Sequence, residues 1–146
     1  MKRNATAVWL GTGKEGQGHL TTQSKVLEKT QYSYNSRFAE GIGTNPEELV
    51  AAAHAGCFTM KLALNIDAAG FTAKQLETRC EITIENGTIN KSQLTLHAWI
   101  EGMSQEKFHD LVEEAEKNCP VSKLLKAAIS VTATLNNSTS VYMTRS

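Results

Sequence analysis

The chain has 146 residues, 40% of them hydrophobic, and its 15 basic and 15 acidic side chains give a formal net charge of zero at pH 7. A protein this neutral lacks the electrostatic footprint of a nucleic-acid-binding or anionic-membrane-binding protein, so we expect neither partner. The length and apolar content suit one compact domain covering residues 1–146.

The chain shows no sign of export or of a membrane span. Residues 1–13 contain no continuous apolar run, unlike a secretory signal. The longest apolar segment, residues 49–69, is interrupted by polar residues, and we interpret it as too polar to cross a membrane. We therefore expect a cytoplasmic protein whose three cysteines are reduced; an odd number also excludes a full disulfide framework.

The first third of the chain predicts a small antiparallel meander. Three short runs have β character, Thr6 to Leu10, His19 to Ser24 and Gln31 to Asn35, and glycine-rich stretches separate the first two.

A long helix follows. Asn45 is a good N-cap, Pro46 suits the first helical position, and Glu48 lies where it can close a capping box. We expect the helix to run to Ala69 and to stop at Gly70. Because apolar residues lie on all its sides, the helix should be buried, and in so small a chain this takes a second subunit as well as a sheet.

After Gly70 the apolar period becomes two. Alternating residues 76–84 and 94–100 predict two strands joined by a hairpin turn at Asn86-Gly87. Helices over residues 104–117 and 120–127 and a strand over residues 129–135 complete the chain. The predicted class is α+β, with antiparallel sheets around one long buried helix.

Two of the three cysteines are candidates for chemistry. Cys57 lies mid-helix, where it could equally be a small core side chain. Cys119 directly precedes Pro120 and is the expected N-cap of the short helix, a position that favours a thiolate, although a cysteine is also tolerated there as a plain cap. Cys80 follows the apolar alternation of its strand, and we interpret it as a core residue.

A mid-helix cysteine needs a nearby cation to ionise. Arg37 is the candidate cation, with Glu47 as the acid that would fix its direction. As alternatives, Arg37 suits a solvated surface, and Glu47 suits the start of a helix, where the dipole favours an acid. Glu47 and Cys57 are about 15 Å apart along one helix axis and cannot share a small site within it. Two antiparallel helices across a two-fold axis could bring Glu47 of one chain near Cys57 of the other.

The histidines and the remaining motifs carry weaker signals. His54, one turn before Cys57, could orient the thiol, but a packed or interface histidine explains it as well, and His97 should be exposed. The cysteines and His54 have no zinc-ligand spacing, and the chain has no phosphate loop, dinucleotide fingerprint or GxSxG elbow.

Three segments are similar to a known family. The segments are Gly43-Thr44-Asn45-Pro46-Glu47-Glu48-Leu49, Ala52-Ala53-His54-Ala55-Gly56-Cys57-Phe58 and Asn118-Cys119-Pro120-Val121-Ser122. They resemble the OsmC/Ohr family of osmotically inducible and organic hydroperoxide resistance proteins. The resemblance covers nearly the whole chain, and the segment Asn35-Ser36-Arg37-Phe38 looks like the OsmC branch.

This resemblance implies an intertwined homodimer with two interface sites and a peroxidase without metal, haem or other cofactor. Cys57 matches the peroxidatic cysteine, Cys119 the resolving cysteine, Arg37 the active-site arginine and Glu47 its acidic partner. The implied substrates are organic hydroperoxides in preference to hydrogen peroxide, with an external dithiol, such as a dihydrolipoyl group, as reductant. The alternatives are a non-catalytic redox sensor, a small-molecule-binding protein and a structural stress protein of the same fold.

Overall fold

The structure, a computed structural model, describes residues 1–38 and 41–145. In chain order its elements are β1 (Ala5–Leu10), β2 (Gln17–Thr22), β3 (Thr30–Ser33), α1 (Tyr34–Phe38), α2 (Pro46–Ala68), β4 (Gln75–Glu85), β5 (Thr88–Trp99), α3 (Gln105–Asn118), α4 (Pro120–Leu124), β6 (Ala128–Leu135) and β7 (Ser138–Arg145). They form two compact units, residues 1–49 and 50–146. The assignment of one domain to residues 1–146 stays a prediction.

The first unit contains the predicted antiparallel meander, with strand order β1-β2-β3. Trp9 and Tyr32 pack edge to face across Gly18, where a side chain would collide with both rings. The third strand ends two residues earlier than predicted, because Ser33 and Ser36 exchange hydrogen bonds that start the short helix α1. The Ser36 hydroxyl accepts from the Ser33 N–H at 2.7 Å, and the Ser33 hydroxyl accepts from the Ser36 N–H at 3.2 Å.

The start of α2 agrees with the sequence in all but one contact. The Asn45 side chain accepts the Glu48 N–H at 2.7 Å, as an N-cap does. The Glu48 carboxylate does not return to Asn45 and instead accepts the Thr44 hydroxyl at 2.7 Å. The bond between Thr44 and Glu48 therefore takes the place of the second bond of the predicted capping box, the one from Glu48 back to Asn45.

The end of α2 is a Schellman motif at Gly70, as the stop signal predicts. Gly70 has φ +86°, and its N–H bonds to the Asp67 carbonyl at 3.0 Å, while the Phe71 N–H bonds to the Ile66 carbonyl at 3.1 Å. The carbonyls of the last turn are thus satisfied where the chain leaves for β4.

The second unit has a four-stranded sheet of order β4-β5-β6-β7. The β4–β5 hairpin turns at Asn86-Gly87, where both residues have positive φ, as predicted. The expectation of purely antiparallel pairing is wrong for β5 and β6, which pair in parallel because α3 and α4 form a crossover between them. Two further corrections are that α4 ends at Leu124 rather than Ala127 and that β7, which pairs antiparallel with β6, was not predicted.

The core of the second unit lies between this sheet and its helices. The α2 residues His54, Phe58, Leu62 and Ile66 form one fully buried stripe. Its apolar members form one hydrophobic core with the inward-facing apolar residues of α3, β5 and β6: Phe108, Val112, Ala115, Leu94, Leu96, Ala98, Ile129, Val131, Ala133 and Leu135. Outside the stripe, Met60 and Leu64 are 68% and 59% exposed. Within the second unit, α2 thus buries one stripe and leaves these two apolar side chains exposed.

The exclusion of a membrane span by polarity is too strong. Over an 18-residue window α2 has a mean hydropathy of 1.4, so by length and composition alone it meets the criteria for crossing a membrane. The core helix of a soluble protein meets the same criteria, and the buried stripe of α2 belongs to a protein core.

Candidate active site

The predicted nucleophile, Cys57, lies in the middle of α2 and is half-buried. Its thiol has two neighbours from the other end of the sequence, the Cys119 thiol and the backbone N–H of Val121. Burial raises the pKa of the Cys57 thiol above its ordinary value of 9.0, and the hydrogen bond with Cys119 acts in the same direction. The Val121 N–H stabilises the thiolate and opposes both effects.

The predicted resolving residue, Cys119, joins α3 to α4. Its backbone N–H closes α3 by bonding to the Ala115 carbonyl at 2.9 Å, and its extended conformation (φ −62°, ψ 122°) makes it the N-cap of α4. The position agrees with the sequence prediction, but the side chain makes no capping hydrogen bond and is fully buried. Its thiol is free, like that of Cys57, and it is the side chain whose hydrogen bond helps to raise the pKa of Cys57.

The predicted cation and its acid, Arg37 and Glu47, meet in the first unit. The Arg37 Nε donates to Glu47 Oε1 at 2.8 Å, with side chains 44% and 14% exposed. The second carboxylate oxygen of Glu47 is buried without a hydrogen-bond partner in the part of the chain that the structure describes. Arg37 also lines a small pocket of about 120 Å³ with aromatic walls, formed with Trp9, Gly13, Tyr32, Ser33, Tyr34 and Pro46.

A buried polar network surrounds His54, and its partners Ser92 and Ser122 were not predicted as functional residues. The ring bridges two fully buried hydroxyls, with Nδ1 2.6 Å from Ser92 Oγ and Nε2 2.8 Å from Ser122 Oγ. Two signals could have found the serines: Ser92 interrupts the apolar face of β5, and Ser122 belongs to the segment that contains Cys119.

Cys80 belongs to the same network. The interpretation of Cys80 as core is right in part, since it is half-buried, packs on the apolar cluster and lies 3.3 Å from the Ser92 hydroxyl. Burial raises its pKa as well. His97 is exposed, as predicted, and stacks on Trp99 with ring centroids 6.3 Å apart.

Metal-ligating residues are not clustered in the described parts of the chain: residues 1–38 and 41–145 contain no group of three His, Cys, Asp or Glu side chains placed to hold a metal ion. The candidate chemical groups are the two neighbouring thiols in the second unit and the arginine–carboxylate pair in the first. Their roles in a common site stay predictions.

Comparison with known proteins agrees with the sequence motifs. The chain is 37% identical over 133 residues to the peroxiredoxin OsmC of Escherichia coli, which covers 88% of this chain and 93% of that protein. It is 29% identical over 124 residues to the organic hydroperoxide resistance protein OhrB of Bacillus subtilis, covering 78% and 85% of the two chains. The crystal structure of an organic hydroperoxide resistance protein from Elizabethkingia anophelis superposes with a TM-score of 0.66 at 29% identity, over 94% of this chain and 98% of that one. The family of OsmC-like proteins matches residues 39–134, and the chain belongs to it.

Proposed function

We propose that this chain is a thiol peroxidase that reduces organic hydroperoxides to alcohols, with Cys57 as the attacking thiolate and Cys119 as the resolving thiol. The observation that carries the proposal is that the thiols of these two free cysteines, one within α2 and one between α3 and α4, are hydrogen-bonding neighbours. The names of the relatives, a peroxiredoxin and hydroperoxide resistance proteins, support the same class of reaction.

The proposed cycle has three steps. The Cys57 thiolate attacks the distal oxygen of the peroxide, the O–O bond breaks, and the alkoxide leaves as an alcohol after taking a proton. Cys119 then attacks the Cys57 sulfenic acid; the S–S bond forms, and hydroxide leaves as water with the proton of the Cys119 thiol. An external dithiol, for which a dihydrolipoyl group is one candidate, returns two electrons by thiol–disulfide exchange.

The first step requires a cation near Cys57, because burial and Cys119 both favour the neutral thiol. We assign this role to Arg37, held by Glu47 through the 2.8 Å bond to Nε. The aromatic pocket beside Arg37 suits the apolar part of an organic hydroperoxide better than it suits hydrogen peroxide. No metal, haem or other cofactor enters this mechanism.

We further propose that two chains form an intertwined dimer that shares its active sites. Glu47 and Cys57 lie on one uninterrupted helix, which keeps them about 15 Å apart within a chain. The exposed apolar residues Met60 and Leu64 on that helix favour burial by a second copy. A stable monomer with full activity would contradict this arrangement. The proposed location, the cytoplasm, would keep the cysteines reduced between cycles.

The test is peroxide consumption by reduced protein with cumene hydroperoxide and an excess of a dithiol, in wild type and in Cys57→Ser. The proposal expects many peroxides consumed per wild-type chain, a Cys57–Cys119 disulfide when the dithiol is withheld, and no turnover in the variant. Oxidation of wild type that stops after one equivalent with every dithiol supplied would refute it.

One alternative, a non-catalytic redox sensor of the same fold, would use the same two neighbouring thiols, which can be oxidised to a disulfide once without turnover. That alternative expects the single-equivalent result in the same assay.

A further inference from the structure

The buried histidine His54 joins the two structural elements that bring the thiols together. His54 lies on α2 one turn before Cys57, and its Nε2 is 2.8 Å from the hydroxyl of Ser122 on α4. Both side chains have no exposed surface. The bond therefore ties α4 to α2 in a place that water does not reach.

The α4 segment carries two groups that hydrogen-bond to the Cys57 thiol. Cys119 is its N-cap and contributes the thiol, and Val121, directly before Ser122, contributes the backbone N–H. With five residues, α4 is too short to be stable by itself, so tertiary contacts must set its position. The bond from Ser122 to His54 is such a contact.

The opposite side of the ring is anchored on the sheet. His54 Nδ1 is 2.6 Å from the hydroxyl of Ser92 on β5, a strand in the middle of the sheet. Each hydroxyl can donate or accept, so both bonds persist in either neutral tautomer of the imidazole. The ring therefore hydrogen-bonds to the sheet on one side and to α4 on the other, and its complete burial holds it in place as well.

We propose that His54 is a positioning residue for the resolving step: through Ser122 it holds α4 so that Cys119 stays in reach of Cys57 after Cys57 has become a sulfenic acid. This inference rests on the proposed peroxidase function. At the sulfenic acid two reactions compete. In one, Cys119 attacks the sulfur, the disulfide forms and water leaves; in the other, a second peroxide transfers an oxygen, giving sulfinic acid and another alcohol. A misplaced Cys119 slows only the first reaction.

The test measures how Cys57 divides between these two products. Reduced wild type, Ser122→Ala and Ser92→Ala are each exposed to increasing cumene hydroperoxide without dithiol. Peptide mass spectrometry then gives the ratio of Cys57 sulfinic acid to Cys57–Cys119 disulfide. We expect Ser122→Ala to raise this ratio about tenfold at equal peroxide, because a small misplacement of a reacting group costs up to about a hundredfold in rate.

Ser92→Ala is the matched control, since it removes the same kind of buried hydroxyl bond from the same ring but leaves Ser122 on α4. Its ratio should stay within about twofold of wild type, because the Ser122 bond that places the reacting thiol remains. Thermal unfolding and the rate of the first oxidation of Cys57 are measured for each variant. A general loss of folded protein lowers the yield of both products together and leaves their ratio unchanged. If Ser122→Ala does not unfold cooperatively, His54→Phe takes its place. This variant keeps a ring but loses the bonds to Ser92 and Ser122, and the proposal requires it to raise the ratio of sulfinic acid to disulfide.

Wild type that forms no disulfide refutes the peroxidase proposal itself. Wild type that forms the disulfide while Ser122→Ala keeps the wild-type ratio overturns the role of His54 alone. An equal rise in Ser92→Ala and Ser122→Ala also overturns it, because the effect would then belong to the buried network as a whole.

Discussion

Breaking the Arg37–Glu47 pair tells a catalytic role from a structural one, because we expect a large loss of activity and only a small loss of stability. Glu47→Gln keeps the shape of the side chain and removes its charge. Since Arg37 is 44% exposed, solvent screens the pair, and the free energy of unfolding should fall by no more than about 1 kcal/mol. If Glu47 directs the guanidinium at the reacting peroxide, kcat/KM should fall about a hundredfold, or about 2.7 kcal/mol of transition-state stabilisation.

The assay combines urea unfolding with steady-state reduction of cumene hydroperoxide. Glu81→Gln is the control, because the exposed Arg79–Glu81 pair, with 3.0 Å between Nη2 and Oε2, undergoes the same chemical change at residues that flank Cys80, which has no role in the proposed cycle. Its kcat/KM should remain at the wild-type value. The reasoning is refuted if Glu47→Gln keeps kcat/KM within about twofold of wild type, or if Glu81→Gln loses as much activity.

Three further outcomes are expected. Cys119→Ala removes a neighbour that raises the Cys57 pKa, so stopped-flow oxidation of Cys57 should be faster near neutral pH, while turnover is lost after one equivalent. Folding raises the pKa values of the Cys57 and Cys80 thiols above 9.0. The stability linked to each thiol is therefore fully present below pH 9.0 and is lost as the pH rises through the folded-state pKa. The urea midpoint should fall above pH 9.0, and it should fall less steeply in Cys80→Ala. Leu64→Glu places a charge on the exposed apolar side of α2, and sedimentation should show monomers with little peroxidase activity.

Local signals in the sequence were sufficient for most of the secondary structure. The N-cap Asn45, the Gly70 stop and the Asn86-Gly87 turn act on backbone groups within a few residues, so each could be assigned without the rest of the chain. The parallel pairing of β5 with β6 could not be assigned in this way, because it depends on how α3 and α4 carry the chain across the sheet. The hydrogen bonds between Ser33 and Ser36 that end β3 early are local, but they compete with a β-type pattern that favours a longer strand.

By itself the sequence determined the family, the α+β class and the identity of the candidate residues, because motif spacing and apolar period are properties of the chain. Only the tertiary structure decided which of the pairings that the motifs implied are made, and it added contacts that no motif indicated. It placed Cys119 and the Val121 N–H against Cys57, paired Arg37 with Glu47, and buried His54 between Ser92 and Ser122. Contacts between residues distant in sequence arise from packing. Their effect on the pKa of a thiol depends on burial and on the direction of a few hydrogen bonds, and the spacing of residues along the chain encodes neither.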